Sequence, residues 1–168
     1  PQTNALQVQL SNFVPDTRIP VLSTFTLDLN TGVMSLTFTK VIQVSLIPLT
    51  SVSLIMGGTV ISLTGGDIPS GNSATVNISV FPGDLNRIKI VTAPIPYISF
   101  PMNVFIDVRG FSVPPSNFTA SYVIPDTTPP TLVYSQLDMN IGNLTLIFNE
   151  AVRQFMVTKL TIESPSYN

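Results

Sequence analysis

The side chains able to do chemistry are few and of a narrow kind. The 168 residues hold nine carboxylates, seven Lys or Arg, 19 Thr and 17 Ser, but no His and no Cys. A hydroxyl with no imidazole beside it lacks the partner of a Ser-His pair, and no Cys-His pair, imidazole or thiolate metal site, or disulfide can be assembled. What remains is carboxylate chemistry, either paired acids for glycoside hydrolysis or oxygen ligands for calcium. The nine acids stand singly at turns and junctions and form no glycosidase motif, so no enzyme is expected. Asp28-x-Asn30-x-Gly32 and Asp138-x-Asn140-x-Gly142 resemble the start of a calcium loop. Calcium needs six to eight oxygens, usually with a bidentate carboxylate, and no Glu follows at a suitable spacing in the first copy. The same residues suit a hairpin turn, where Asn and Gly tolerate positive φ, and that reading is preferred. Asp16 and Asp126 each stand as one acid among threonines, which favours an Asx turn onto backbone amides over junction calcium. No cofactor is expected.

The elements that position these groups come in a repeat. Residues 15–42 (PDTRIPVLSTFTLDLNTGVMSLTFTKVI) and 125–152 (PDTTPPTLVYSQLDMNIGNLTLIFNEAV) align at an offset of 110 without a gap, with eleven identities in 28 positions. Such self-similarity is the signature of a tandem architecture. Gln7–Ser11 maps by the same offset onto Asn117–Ser121. Three segments follow: 1–15 as the closing strand of a preceding unit, 16–125 as a complete unit, and 126–168 as the opening strands of an incomplete next one.

Within the complete unit the apolar period is two. Met34, Leu36 and Phe38 alternate with polar neighbours, as do Ala74, Val76, Ile78 and Val80, then Ile88 and Ile90, Val104, Ile106 and Val108, and Phe118, Ala120 and Tyr122. Each run predicts a half-buried strand. Gly- and Pro-rich turns such as Gly65-Gly66-Asp67 and Pro82-Gly83-Asp84 separate them. Arg87 and Lys89 then project from one strand face as a solvated edge. The only helix candidate is a short turn within 149–159. Seven to nine strands in about 110 residues predict an all-β fold of antiparallel sandwich units in tandem.

Pro125-Asp126-Thr127-Thr128-Pro129-Pro130, followed by Leu137-Asp138-Met139-Asn140-x-Gly142 and Leu144-Thr145-Leu146-x-Phe148-Asn149-Glu150-Ala151-Val152, resembles the bacterial-type Ig-like repeats. Those occur in tandem in large secreted and cell-surface proteins and open on D-T-T-P-P. The resemblance implies Ig-like architecture; the copy at 15–42 departs from it with Arg18-Ile19 for Thr-Pro and Lys40 for the Glu.

Charge and proline extend the expectation. Only 10% of residues are charged, against about 25% in ordinary soluble domains, and the net charge is −2. Seven scattered cations make no nucleic-acid footprint. The longest uncharged stretch, 41–66, is broken by Gln43, Pro48 and Gly57-Gly58, so no membrane span is expected. Pro15, Pro20, Pro125, Pro129 and Pro130 stiffen the junctions. Three N-x-[ST] sequons, at Asn77, Asn117 and Asn143, lie on polar strand phases and are candidate glycosylation sites. The expected role is a structural Ig-like repeat of a long extracellular surface protein, a stiff spacer or a building block of a filament, hair or coat. Its partners would be neighbouring repeats or copies of itself. The alternatives are an adhesion or carbohydrate-binding module, with Tyr97, Phe100, Phe105 and Phe111 as aromatic candidates, or a noncatalytic region of a large secreted enzyme. The unmatched ends fit a window on a longer array, or strand exchange between molecules in which one copy's first strand completes another's last unit.

Overall fold

The computed structural model describes residues 14–163 except Ser70, residues 92–94 and Phe155. The closing strand expected at 1–15 therefore lies outside the described residues up to position 13. In chain order the elements are β1 (Leu22–Asp28), β2 (Val33–Ile42), β3 (Ser53–Met56), β4 (Thr59–Ser62), β5 (Gly66–Asp67), β6 (Ser73–Val80), α1 (Pro82–Ile90), β7 (Tyr97–Phe100), β8 (Ser116–Thr119), β9 (Tyr122–Ile124), β10 (Leu132–Asp138) and β11 (Asn143–Phe148).

Period-two alternation sends one row of each strand inward, and two sheets share that interior. One has the order β5-β6-β2-β1-β9 and the other β4-β3-β7-β8. Phe25, Leu36 and Ile78 from the first meet Leu54, Ile98 and Phe100 from the second in a single core. β1, β2, β6 and β5 take the places of strands A, B, E and D of an immunoglobulin sandwich, and β3, β7 and β8 those of C, F and G. The pairing is antiparallel except where β9 runs parallel to β1. The last strand changes sheets to get there: β8 pairs with β7, then Ser121 N–H donates to Phe25 O at 2.7 Å and leads β9 onto the first sheet.

Two stretches expected as strands are not strands. Residues 82–90 form α1, although Ile88 and Ile90 alternate with Arg87 and Lys89. Pro82 in the first turn pre-sets φ, Asp84 lies at the positive end of the helix dipole, and Arg87 and Lys89 lie at the negative end. Four residues of apparent alternation cannot separate the two periods, and Leu85 with the fully buried Ile88 supplies the i, i+3 apolar face of a one-sided helix. Asp84, itself buried, accepts from Thr64 N–H at 2.6 Å and Thr64 Oγ1 at 3.0 Å, which fixes α1 to the loop after β4. Residues 103–109 make isolated bridges instead of a ladder, Ile42 to Asp107 and Ile106 to Ser112. Asp107 Oδ1 accepts the amides of Arg109 at 2.9 Å and Phe111 at 2.8 Å, turning the chain with local side-chain bonds. Phe105 from this loop still fills the core, 5.1 Å from Phe38 and 4.8 Å from Phe100 between ring centres. Of the short helix candidate at 149–159, one 3-10 turn at Val157–Lys159 is present.

β10 and β11 form a separate two-stranded sheet that repeats the β1–β2 register pair by pair at the offset of 110. Both hairpins carry the same register shift, after Leu22 and after Leu132. Their burial differs. Leu36 is fully buried, whereas its counterpart Leu146 is partly exposed because no second sheet covers it among the described residues. Leu36→Ala is accordingly expected to destabilise the sandwich by about 2–5 kcal/mol, and Leu146→Ala by less than about 1 kcal/mol, in urea unfolding of the full chain.

Candidate functional site

A set of polar contacts outside the core lies where β9 runs out through Pro125-Asp126-Thr127 toward β10. The β1–β2 turn receives this segment. Asp28 Oδ1 accepts the amides of Asn30 at 2.8 Å and Thr31 at 3.2 Å, while Gly32 closes the turn at φ 72°. Burial raises the Asp28 pKa, but the hydrogen bonds from Thr31 and Asn30 outweigh it and hold the carboxyl below its ordinary value. A Cβ on Gly32 would lie 2.9 Å from Leu85 Cδ2, a movable side-chain tip, so it is the positive φ that calls for Gly here.

With its backbone so fixed, the Asn30 side chain points at the passing chain. Its Oδ1 accepts from Thr127 N–H at 2.8 Å and Thr127 Oγ1 at 3.2 Å, and its Nδ2 donates to Pro125 O at 2.8 Å. The amide thus pairs with main chain on both sides of Asp126, as one peptide group would pair with another. Asp126 Oδ1 meanwhile accepts from Thr128 N–H at 3.2 Å and Thr128 Oγ1 at 2.8 Å, an Asx turn.

The second half of the site comes from α1. Lys89 Nζ lies 2.9 Å from Asp126 Oδ2 and 2.6 Å from Glu150 Oε2, just after β11. Its neighbour Asn86 accepts the Ala151 amide at 3.1 Å, and Arg153 donates to Ile90 O at 3.2 Å. Desolvation pulls the Lys89 pKa down, but Glu150 and Asp126 raise it further, so the group stays charged well above neutrality. The Lys89 hydrogen bond is the main cause that lowers Asp126 to about 2. Glu150 Oε1 is buried without a hydrogen-bond partner among the described residues, so the ion pair must offset its desolvation. A cleft of about 240 Å³ remains between the parts, lined by Asn30, Leu85, Asn86, Lys89, Thr128 and Glu150.

The first opening is wired differently. Asp16 Oδ1 accepts the Arg18 amide at 3.1 Å in the same Asx turn, but its cations are the neighbouring Arg18 side chain at 3.0 Å and Lys40 of β2 at 3.2 Å. Lys40 also lies 3.8 Å from the buried Asp107. The Arg18 hydrogen bonds, with help from Lys40, hold the Asp16 carboxyl well below the carboxylate range.

Asp16, Asp28, Asn30, Gly32 and Asp126 thus carry the local turns and junction contacts, and Pro20 is buried beside β1. Pro129 and Pro130 are exposed. Asp138, Asn140 and Gly142 form a turn of the same geometry, with Asp138 Oδ1 2.9 Å from the Asn140 amide and Gly142 at φ 66°, but no segment crosses it among the described residues. Among the described residues no three acids converge as metal ligands. Asn77 (β6), Asn117 (β8) and Asn143 (β11) are all exposed. Arg87 and Lys89 are not a strand edge: Arg87 pairs with Asp84 at 3.2 Å, and Lys89 holds the junction. The sequence reading missed Lys89, Asn86 and Glu150. The available signal was the charge reversal of Lys40 into Glu150 between the repeats, which demands a cation from elsewhere.

No family model and no curated protein matches this chain. Among solved structures it is similar to domains 1–6 of the surface layer protein SbsC, at 13% identity and a TM-score of 0.48, over 78% of this chain and 18% of that one. It is also similar to the N-terminal part of that bacterial S-layer protein, at 13% identity and a TM-score of 0.46, over 76% and 32%. These are partial likenesses of shape, and the chain spans between about a fifth and a third of the structures it resembles.

Asp126 has its folded pKa depressed from 3.8 to about 2, so its contribution is full above pH 3.8 and is lost as pH falls through 2. Amide exchange at Thr128 and Ala151 is expected to speed up over that window, relative to the core amides of β2. Lys89→Met should produce the same loosening at neutral pH.

Proposed function

We propose that this chain is a noncatalytic structural repeat of an extracellular surface protein, in which Ig-like units, one spanning 16–125 and the next opening at 126, are joined stiffly end to end. The observation that carries this is the junction itself. Asn30 from the first hairpin and Lys89 and Asn86 from α1 grip the outgoing chain and the β11 end at separate points. A linker meant to let units tumble has no use for a shared, largely desolvated ammonium or for an amide matched to two backbone groups. Proline at 125, 129 and 130 further restricts the segment. Adjacent units oriented this way suit a spacer or the building block of a filament, hair or coat.

The low-charge, hydroxyl-rich surface fits packing against neighbouring repeats, and the exposed Asn77, Asn117 and Asn143 offer glycan attachment on the way to a cell surface. In the protein isolated from its source, peptide mapping with and without glycan removal is expected to find these asparagines occupied; bare peptides at all three would remove the glycoprotein part of the reading.

The stiffness is directly measurable because the chain has no native Cys. Spin labels at Thr75→Cys and Thr145→Cys, both exposed, report the distance between the two hairpin systems. The unmodified junction should give one narrow distance distribution, and the double variant Asn30→Ala/Lys89→Met one at least about twice as broad, since both anchoring points are lost. Equal widths in the two proteins would sink the stiff-joint reading.

A further inference from the structure

We propose that an N-linked glycan on Asn117 is held down on the outer face of the β4-β3-β7-β8 sheet, its first sugar stacked on Tyr97 and the next lying over Ile55. This rests on the glycoprotein part of the reading above, and deepens it by naming which glycan the protein binds and with which side chains.

Strand pairing lays two rows of side chains across this sheet. Val60, Ile55, Tyr97 and Thr119 stand opposite one another in turn, and so do Ser62, Ser53, Ser99 and Asn117. The alternate residues Ile61, Leu54 and Ile98 are buried in the core, so both rows face outward. The first row is largely apolar and open, with Val60 57% and Tyr97 45% exposed. The second offers three hydroxyls and one amide. None of the four strands contains Lys, Arg, Asp or Glu. Such a face has nothing for a charged partner. It matches a neutral sugar, whose C–H surface packs on an aromatic ring while its hydroxyls pair with Ser and Asn.

The sequon Asn117-Phe118-Thr119 stands at the head of these rows. Thr119 lies directly opposite Tyr97, and Asn117 lies on the diagonal from that ring, about 7–8 Å away across neighbouring strands. A pyranose on the Asn117 amide spans this gap. The next strand follows at about 4.8 Å, so a sugar chain running across the sheet meets Ile55 after Tyr97. A hollow of about 190 Å³ bounded by Ser99, Phe100, Pro115, Ser116 and Asn117 leaves room for the linkage. The other two sequons have no such platform. Asn77 stands opposite Ser35, whose hydroxyl donates to its Oδ1 at 2.8 Å, and Asn143 stands opposite Asp138 with Gln136 on the diagonal. No aromatic residue is opposite or diagonal to either. Attachment joins Asn117 Nδ2 to the anomeric carbon of a phosphate-activated sugar; the donor's phosphate leaves and the amide gives up one proton. Once docked, the glycan covers the apolar row and stands beside β8, an edge strand whose free backbone groups would otherwise accept a stray strand.

The protein isolated from its source tests this. Peptide mapping is expected to find Asn117 occupied. Enzymatic release of that glycan should run about tenfold or more slower from the native protein than from the unfolded chain, because the enzyme reaches only the undocked fraction. Tyr97→Ser, made in the same cells, should bring the native rate close to the unfolded one, whereas Tyr97→Phe keeps the ring and should keep the slow rate. Tyr97 lies outside the core, and unchanged amide exchange in β2 will show that both variants fold. A bare Asn117, equal rates from native and unfolded chains, a slow rate that survives Tyr97→Ser, or a fast one in Tyr97→Phe would each overturn the docking. In any of these cases an occupied asparagine at 77, 117 or 143 leaves the glycoprotein reading standing, and three bare asparagines remove both.

Discussion

One ammonium group shared by two carboxylates holds the arrangement at the junction together. Lys89 is presented by the last turn of α1, where the helix dipole already favours a cation, and it meets Asp126 from the outgoing strand and Glu150 from the end of the next hairpin. Neither acid is satisfactory without it. Among the described residues one buried oxygen of Glu150 has no hydrogen-bond partner, and two carboxylates drawn to one point would repel if the cation were absent. The requirement propagates backward: α1 must stand where it does, which is secured by the buried Asp84 on Thr64 and by Leu85 and Ile88 against the core. Gly32 serves the turn beside this helix through its backbone, since its φ of 72° is one that residues with a Cβ rarely adopt.

Comparing the two openings separates what folding needs from what joining needs. Both hairpins share the register, the shift near their start and the Asp-x-Asn-x-Gly turn, so these belong to the hairpin. Position 40/150 reverses sign. As Lys40 it turns inward, between Asp16 and the buried Asp107, and closes the charge within its own unit. As Glu150 it cannot do so, and takes its counter-ion from the helix of the sandwich before it. Among the seventeen differences between the two 28-residue openings, this charge reversal is the one that changes which element supplies the counter-ion.

Much of this was legible in the sequence, and the failures have physical causes. Where alternation ran over six or more residues, as in β2 and β6, the period fixed both the strand and its buried face. Residues 87–90 were too short a sample to distinguish a period of 2 from one of 3.6, and Pro82 with Asp84 is a helix opening as readily as a turn. Residues 103–109 alternate only if Phe105 is passed over: Val104 and Phe105 are adjacent and both buried, which a strand with one wet face does not allow, and Asp107 supplies through its side chain the bonds a strand partner would have made. At the junction, Asp126 and Asn30 were visible as turn residues because turn chemistry is local. That Asn30 binds Pro125 and Thr127, 95 and 97 positions away, was not visible, because nothing local encodes it.

Asn30 shows why one residue type serves both purposes. The positive φ of this turn falls on Gly32 and not on Asn30, contrary to the expectation from Asn-x-Gly, so the backbone alone does not demand asparagine there. A carboxylate would accept from Thr127 but offer nothing to Pro125 O, and glycine would do neither; only the primary amide carries donor and acceptor in the spacing of a peptide group. The side chain therefore pairs with main chain on both sides of Asp126, and the Thr127 hydroxyl adds one side-chain bond to the same oxygen. The second hairpin repeats the turn, with Asp138 Oδ1 on the Asn140 amide and Gly142 at positive φ, so the residues that close the hairpin also place an asparagine at the same point of its end.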